Sequence, residues 1–414
     1  MNKNYIKDNV AFIFYTIICV SGLLLFMYAA SRYRLYTWVW LVMENNWEWT
    51  AMDYYTPVLW DKNLAEVYNV FPLYPPLTTL FYNYIARATS VCFRDGYGME
   101  IAKELSVTPV HMMIYIGYLA IGISFVTYAI SEFKVSKEKK GIISFFTILS
   151  LPMFAGALER GNCIIFVIAF LLLAVAWKDS DNKFERELAL ISIAMAVGLK
   201  LYPAVIGLLY IKEKRYKESI RLIIYGIITV FVPFLFTGGI NSMIIFFNTM
   251  FSRNDLIDIG RIQCFKGLIA TLLNDNTNGI IVVLYYAFVG MLLLALMTTK
   301  DRLRELAYLA VFMSTVPSNG FRITLLYWLM PLMFLFEKNT VSSIRKAVYA
   351  ILLAFIFALP AIAGLITKFE TIYDLFTLTY AEVAVYIPAW ILTFGCIIAG
   401  NVELVSRIVK MKHA

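Results

Sequence analysis

The stretch VAFIFYTIICVSGLLLFMYAA, residues 10–30, carries no charged side chain and determines the fold class of this chain. A helix needs about 20 predominantly apolar residues to cross the hydrocarbon core of a bilayer. The run is too long for the apolar part of a signal peptide, and it follows Lys3 and Lys7. Because basic residues collect on the cytoplasmic side of membrane proteins, we predict an uncleaved span with its N-terminus inside.

The composition extends this pattern to the whole chain. Hydrophobic side chains make up 61% of the 414 residues, and charged side chains only 15%. A soluble protein averages roughly half apolar and a quarter charged residues, so a soluble globular enzyme is excluded. The length instead leaves room for roughly a dozen spans that are joined by short connections.

The charged and metal-binding residue types narrow the range of partners. A net charge of +8 would point to nucleic acid in a soluble chain, but in a membrane protein the excess Lys and Arg belong to cytoplasmic loops. The five cysteines are scattered without a C-x-x-C pair, and only two histidines are present. We therefore expect no nucleic-acid partner, no metal site and no cofactor.

Clusters of basic residues fix the predicted topology. The apolar run 107–130 ends at such a cluster, which we place inside: Lys134, Lys137, Lys139 and Lys140. The segment 75–90 is short, opens with two prolines and carries Arg87. It is therefore predicted as a helix that lies on, or dips in from, the outer surface. Residues 31–106 then form one large extracytoplasmic loop.

The same reasoning predicts an all-α polytopic membrane protein with about twelve transmembrane helices and both termini inside. It forms a single integral membrane domain over residues 1–414, with surface helices in the first outer loop and a second outer loop over residues 237–278. The predicted membrane segments are 10–30, 107–130, 142–158, 163–177, a broken hairpin over 188–211, 220–236, 280–297, a second hairpin over 306–336, 348–366 and 383–399.

Three cations lie at the outer ends of predicted spans, each beside a helix break. They occur in Glu159-Arg160-Gly161-Asn162, in Lys200-Leu201-Tyr202-Pro203, and in Asn319-Gly320-Phe321-Arg322. Ionisable groups at membrane depth are costly and often functional. Arg160 could instead pair locally with Glu159, and Lys200 could extend to water. Three cations at one membrane face favour a shared site for an anion such as a phosphate.

The large outer loop supplies candidate carboxylates and aromatic rings. Asp53 lies among aromatics in Met52-Asp53-Tyr54-Tyr55, and a carboxylate near a phosphate site suits a general base that acts on an acceptor hydroxyl. Asp61 and Glu66 are its competitors in the same loop. Several rings could stack on sugar faces, or could form an interfacial aromatic belt: Trp47, Trp49, Tyr54, Tyr55, Trp60 and Tyr68.

These motifs, taken in order, resemble glycosyltransferases of the GT-C superfamily, and most closely glycosyltransferase family 87. The resemblance covers mainly residues 50–220. It rests on Asp53-Tyr54-Tyr55, the corner Tyr74-Pro75-Pro76-Leu77, the turn Glu159-Arg160-Gly161-Asn162, and Lys200-Leu201-Tyr202-Pro203 before a basic loop. The chain departs from the family at the second hairpin, where members often carry a histidine and this chain reads Val316-Pro317-Ser318-Asn319-Gly320-Phe321-Arg322.

The resemblance implies an inverting hexosyltransferase that moves mannose from a polyprenyl-phosphate sugar to an extracytoplasmic glycan or glycolipid acceptor. It also implies a location in the plasma or inner membrane, among membrane lipids, with the site at the extracytoplasmic face. Asp53 would act as the general base, and Arg160, Lys200 and Arg322 would hold the lipid phosphate as a leaving group. Other residues would complete the substrate site: Tyr54, Tyr74, Glu159, Asn162 and Tyr202.

Two other functions remain open at this point. A transporter or flippase for a lipid-linked glycan often shows internal repeats and ionisable residues near the bilayer midplane. The sequence shows no such repeat, and its unusual charges lie towards the predicted outer face. A polysaccharide polymerase would also have many spans and outer arginines, but would use a lipid diphosphate-linked donor.

Overall fold

The computed structural model of the protein describes residues 3–33, 51–64, 66–70, 74–89, 91, 99–254, 257, 259, 261–317, 322–337, 343–358 and 380–412. The regular elements in these ranges are helical. The α-helices are α1 Lys3–Tyr33, α2 Met52–Trp60, α3 Val67–Val70, α4 Pro76–Ala88, α5 Met99–Val107, α6 Pro109–Ser131, α7 Lys137–Leu149, α8 Ile164–Trp177, α9 Lys183–Leu199, α10 Gly207–Lys212, α11 Tyr216–Phe231, α12 Gly239–Asn254, α13 Phe265–Leu273, α14 Gly279–Thr298, α15 Arg302–Thr315, α16 Leu329–Leu335, α17 Ser343–Phe357 and α18 Tyr380–Lys412. A π-helix covers Leu151–Leu158, and 3₁₀-helices cover Tyr202–Ile206, Val232–Phe236 and Arg322–Trp328.

Within the described ranges, 5 stretches are long and apolar enough to cross a membrane: Asn9–Tyr28, Pro109–Ser131, Tyr216–Phe236, Gly279–Thr298 and Tyr386–Glu403. A sixth would result if α7 and the π-helix, which bend by 52°, form one span. The described residues are thus all-helical, and the candidate spans are those of a polytopic membrane protein, as the sequence predicted. Shorter apolar helices occupy other predicted segments, and the number of twelve crossings stays a prediction.

The outer surface of α11 shows why such helices require lipid. Leu222 and Val230 are buried, whereas a row of isoleucines on the same helix is exposed: Ile220, Ile223, Ile224, Ile227 and Ile228. A contiguous apolar patch of this kind is rare on a soluble monomer, since it would face water. A bilayer removes that cost, because its hydrocarbon is as apolar as the side chains.

The chain folds into two compact units. One comprises Met1–Asn45, Phe133–Ala155 and Ile257–Ala414, and the other comprises Asn46–Glu132 and Gly156–Leu256. In the first unit, α1 packs on α17, α17 on α18, and α15 on α14 and α18. In the second unit, which we call the site unit, α8 packs between α6 and α9, and α9 packs on α11. The short helix α2 packs on α4 and α5.

The helix breaks that the sequence predicted are present in the site unit. Helix α9 ends at Leu199, Lys200 is extended, and a 3₁₀-helix begins at Tyr202 with Pro203 in its first turn. Proline is tolerated there because the first N–H groups of a helix have no intrahelical partner. Helix α4 occupies most of the segment that was predicted as a surface helix. Several predicted features lie outside the described residues: Trp47, Trp49, the turn 318–321 and residues 359–366.

A cluster of ion pairs ties two turns of the site unit together. The Lys178 side chain is only 2% exposed, and its ammonium donates to Glu213 at 2.5 Å and to Asp179 at 3.0 Å. Arg215 bridges the same turns, with contacts of 2.8 Å to Asp179 and 2.6 Å to Glu218. Each described charge in this cluster faces an opposite charge. Its role is therefore structural: it fixes the α8–α9 turn against the α10–α11 turn.

Single cysteines test the predicted topology. Tyr84 on α4 is 75% exposed, and Lys137 at the start of α7 is also exposed. We expect Tyr84→Cys to react with a membrane-impermeant maleimide on intact cells, and Lys137→Cys to react only after the membrane is opened. The background is the Cys92→Ser variant, because Cys92 lies in the predicted outer loop, whereas the four cysteines that the structure describes are buried: Cys19, Cys163, Cys264 and Cys396. Reaction of both variants from the same side would overturn the predicted outer position of α4.

Candidate functional site

The turn between the π-helix and α8 is the scaffold of the site. Gly161 adopts the left-handed conformation with φ of 71°, which glycine enters without a Cβ penalty. The Asn162 N–H then donates to the Ala157 carbonyl at 2.9 Å, and the Gly161 N–H donates to the Leu158 carbonyl at 3.2 Å. The Asn162 side-chain oxygen accepts from the Ile164 N–H at 3.0 Å. The turn is thus hydrogen-bonded on both sides, and it points Arg160 and Asn162 in fixed directions.

Two tyrosines of α6 hold this turn from the other side. The Tyr115 hydroxyl donates to the Leu158 carbonyl at 2.6 Å, and the Tyr118 hydroxyl donates to the Gly161 carbonyl at 3.1 Å. Neither residue was singled out from the sequence. Their spacing of three residues, which puts both rings on one face of a helix, was a signal that could have identified them.

Helix α2 brings Asp53 to the same turn. The Ala51 N–H, which precedes the helix, donates to the Glu159 carbonyl at 2.8 Å. Ala51 itself has a left-handed backbone with φ of 58°, and such strained non-glycine residues concentrate at functional sites. Asp53 lies in the first turn of α2, where the helix dipole favours a negative charge.

The Asp53 carboxylate accepts three hydrogen bonds. Arg160 donates to it through two nitrogens, from Nε to Oδ2 at 3.1 Å and from Nη2 to Oδ1 at 2.9 Å. Asn162 Nδ2 donates to Oδ2 at 2.8 Å. A carboxylate offers roughly four acceptor positions, two on each oxygen. Since Oδ2 accepts two of these bonds and Oδ1 accepts one, Oδ1 retains an acceptor position for a further hydroxyl.

The electrostatic surroundings keep this carboxylate ionised. Burial alone would raise the pKa of the Asp53 carboxyl, but the Arg160 charge outweighs it, together with the Arg160 and Asn162 hydrogen bonds and the Lys200 charge. The result is a pKa below the usual value for aspartate. The pair is partly accessible, with 20% of the Asp53 side chain and 17% of the Arg160 side chain exposed. A substrate can therefore reach it.

Lys200 and Tyr74 lie beside this ion pair. The Lys200 ammonium is 5.2 Å from the centre of the Tyr74 ring, within the range of a cation–π contact. The Thr78 hydroxyl donates to the Leu199 carbonyl at 2.9 Å, which ties α4 to the end of α9. Tyr202 is the next tyrosine of the break and contributes to the electrostatic environment of Lys200.

The structure shows where the predicted aromatic residues lie. Tyr54, Tyr55 and Tyr68 are each no more than 2% exposed, so their rings face other protein groups, and contact with a sugar stays a prediction. The Tyr54 ring instead contacts four other tyrosine rings, with centres at 4.9 to 6.2 Å. The reason is that α2 is wedged against α4 and α5, and its aromatic face fills their interface.

Glu159 and Arg322 are the remaining candidates. Glu159 contributes its backbone carbonyl, which accepts from Tyr115 at 3.2 Å as well as from Ala51. Arg322 belongs to the other unit, where it is 4% exposed at the first residue of a 3₁₀-helix. Its predicted contact with a phosphate stays a prediction. Among the described residues, no three His, Cys, Asp or Glu side chains come together as a metal site.

Asp61, the competitor of Asp53, is a buried acid of a different kind. It is 1% exposed, and its Oδ2 atom has no hydrogen-bond partner in the described part of the chain. Burial raises the pKa of this carboxyl well above the usual value. A raised pKa favours the protonated form of the carboxyl, which cannot accept a further proton, so Asp61 fits the role of general base less well than Asp53 does.

Two glycine substitutions separate backbone strain from side-chain crowding at the turn. A Cβ at Gly161 would lie 2.7 Å from both a Tyr115 ring carbon and the Tyr54 Cβ, whereas a Cβ at Gly239 (φ 69°) would meet nothing within 4 Å. Both alanine variants incur left-handed strain of about 1–2 kcal/mol. Gly161→Ala should lose about 1–3 kcal/mol more by overpacking. Thermal unfolding in detergent should show a clearly lower Tm for Gly161→Ala; equal losses would mean that the turn is loosely packed.

Comparison with known families identifies the family of the chain. The model of glycosyltransferase family 87 matches residues 73–318, which is more than half of the chain. The match includes Tyr74, Arg160 and Lys200, whereas Asp53 and Arg322 lie outside it. No curated protein and no solved structure matches the chain. The matched family consists of glycosyltransferases, so the chain is a membrane glycosyltransferase and belongs to glycosyltransferase family 87.

Proposed function

We propose that the protein transfers mannose, with inversion, from a polyprenyl-phosphate donor to an extracytoplasmic glycan or glycolipid. The observation that carries this proposal is the ionised Asp53 carboxylate, hydrogen-bonded by Arg160 and Asn162, with Lys200 nearby. One group of side chains thus combines an acceptor for a proton with cations for a phosphate. Inverting transfer from a lipid phosphate requires both.

The proposed reaction is a single displacement. The oxygen of the acceptor hydroxyl forms a bond to the anomeric carbon while the bond from that carbon to the donor phosphate oxygen breaks. The hydroxyl proton passes to Oδ1 of Asp53, which has an acceptor position left. The electron pair of the broken bond remains on the polyprenyl phosphate. Arg160 and Lys200 stabilise the negative charge that develops on this leaving group.

The ion pair would allow donor binding to change the basicity of the Asp53 carboxylate. A carboxylate that is paired with arginine has a lowered pKa and is a weak base. A lipid phosphate in the site would attract the Arg160 guanidinium and weaken its hold on Asp53. The carboxylate would then become a stronger base only when a donor is bound. This arrangement would protect the donor from hydrolysis and couple proton transfer to donor binding.

The membrane context supplies the rest of the proposal. The hydrophobic polyprenyl chain of the donor would remain in the bilayer, beside apolar surfaces such as that of α11. With twelve crossings and both termini inside, as the sequence predicts, the Asp53 cluster lies at the extracytoplasmic face of the plasma or inner membrane. Proteoliposomes that contain the purified protein and radiolabelled polyprenyl-phosphate mannose should form a labelled product with an envelope glycolipid extract. Turnover of a lipid diphosphate-linked oligosaccharide instead would identify a polymerase.

Substitution of Asp53 tests the general base. Asp53→Asn preserves the shape but removes the proton acceptor, and a positioned base contributes about 10²–10⁴-fold to the rate. We expect kcat to fall by a factor in this range while the lipid donor still binds. Asp61→Asn is the matched control: it makes the same change at a buried carboxyl of the same loop that is not bonded to Arg160, and it should change kcat little. Loss of donor binding in Asp53→Asn would instead make Asp53 a structural partner of the cations.

The pH dependence of transfer tests the ion pair. Asp53 must be ionised to accept a proton, so kcat/KM should fall at low pH as this carboxyl becomes protonated. Because the Asp53 pKa is lowered, this fall in the wild-type protein should occur below the usual aspartate pKa of about 3.9. Arg160→Ala removes the largest pKa-lowering contribution and leaves burial, which raises the pKa. The acid limb of its residual activity should therefore move to higher pH. Lys200→Ala should produce a smaller displacement. An unshifted limb in Arg160→Ala would show that Asp53 is not the titrating base.

A further inference from the structure

The site unit contains a second feature that the transfer chemistry does not use, a cavity of about 460 Å³. It lies between α3 and the first turns of α12, and its lining residues are Asn69, Gly238, Asn241, Ser242, Ile244 and Ile245. Small-molecule sites in proteins typically occupy about 300–1,000 Å³. The cavity is therefore of ligand size.

The chemistry of the lining selects among ligands. Asn69 and Asn241 carry amides and Ser242 carries a hydroxyl, groups that both donate and accept hydrogen bonds. None of these six lining residues is charged. A phosphate would require compensating cations, whereas sugar hydroxyls pair with amides and hydroxyls. The set fits a neutral carbohydrate.

Ser242 supplies an independent sign of a ligand. Its side chain lines the cavity although the residue is only 5% exposed. Its hydroxyl makes no hydrogen bond within the described part of the chain. The Oγ atom is not among the fully buried, unpartnered polar atoms of the described residues, so it is accessible from the cavity. A ligand hydroxyl in the cavity would supply that partner.

A chain of side-chain contacts connects the wall of the cavity to the Asp53 cluster. Asn69 follows Tyr68, whose ring contacts Phe246 of α12 at 5.7 Å between centres. The Tyr68 hydroxyl donates to the Tyr74 carbonyl at 3.0 Å, and the Tyr74 ring contacts Lys200. Packing and hydrogen bonds thus fix the cavity relative to the proposed phosphate-binding residues of the same unit.

We propose that this cavity binds a sugar residue of the acceptor, so that the enzyme recognises a glycan rather than a lone hydroxyl. The proposal rests on the proposed transfer function, because only that function supplies a glycan acceptor. The bound sugar anchors the acceptor on α12 and α3. Recognition of the acceptor is then separate from the cations that hold the donor.

Protection of single cysteines tests this binding without any transfer reaction. Ile244 lines the cavity and is 50% exposed, whereas Ile240 is 68% exposed on the same helix and does not line it. The full-length protein in detergent is labelled with a maleimide in the presence of mannobiose, cellobiose, diacetylchitobiose or inorganic phosphate. We expect at least one disaccharide to slow labelling of Ile244→Cys several-fold. Labelling of Ile240→Cys should be unchanged, and phosphate should protect neither position.

Variants of the lining complete the test. Asn241→Ala and, on the other wall, Asn69→Ala should each abolish the protection in the Ile244→Cys background. Asn248→Ala, an exposed position further along α12, is the matched control and should retain it. Absence of protection by every disaccharide, protection by phosphate alone, or equal protection at both cysteines would overturn the proposal. Protection that persists while Asp53→Asn transfers normally would instead refute the proposed general base and leave the sugar site standing.

Discussion

A charged side chain that is removed from water needs an oppositely charged partner nearby. In the site unit, Arg160 and Asp53 are such partners, and the surrounding architecture depends on this pairing. Desolvation offsets much of the attraction between two such groups, so the pair contributes little net stability. Loss of either partner, however, leaves the other uncompensated. The surrounding elements are arranged to hold the pair: the left-handed Gly161, the cap by Asn162, and the strained Ala51 that enters α2.

The site unit contains two clusters of ion pairs, one around Lys178 and one around Asp53, and they differ in role. Around Lys178, cations and carboxylates face one another within two adjacent turns, and the ammonium is 2% exposed. Around Asp53, the carboxylate retains an acceptor position, and the ion pair is accessible from outside. The buried Lys178 ammonium, which contacts both Glu213 and Asp179, suits a structural clamp between the two turns. Incomplete satisfaction with access suits chemistry, because a substrate can supply the missing partner.

The sequence predicted the membrane class and the helix breaks because both have local signals. An uncharged run such as residues 10–30 can be recognised by itself, and Gly161 and Pro203 mark breaks through their own backbone chemistry. It did not predict that Arg160 would pair with Asp53, since those residues are 107 positions apart and no local pattern encodes a distant contact. The burial of Tyr54 could not be predicted for a related reason. Whether an aromatic ring faces a ligand or a protein core depends on the packing of α2 against α4 and α5, which composition does not reveal.

The Lys178 clamp also constrains how the protein is made. Helix α10, Gly207–Lys212, is far too short to cross a bilayer by itself. Glu213 and Lys178 can meet only after both turns have reached the same side of the membrane. A chain in which the two turns lay on opposite sides would leave Lys178 paired with its neighbour Asp179 alone. The contact between Lys178 and Glu213 therefore requires a chain whose two turns share one side of the membrane.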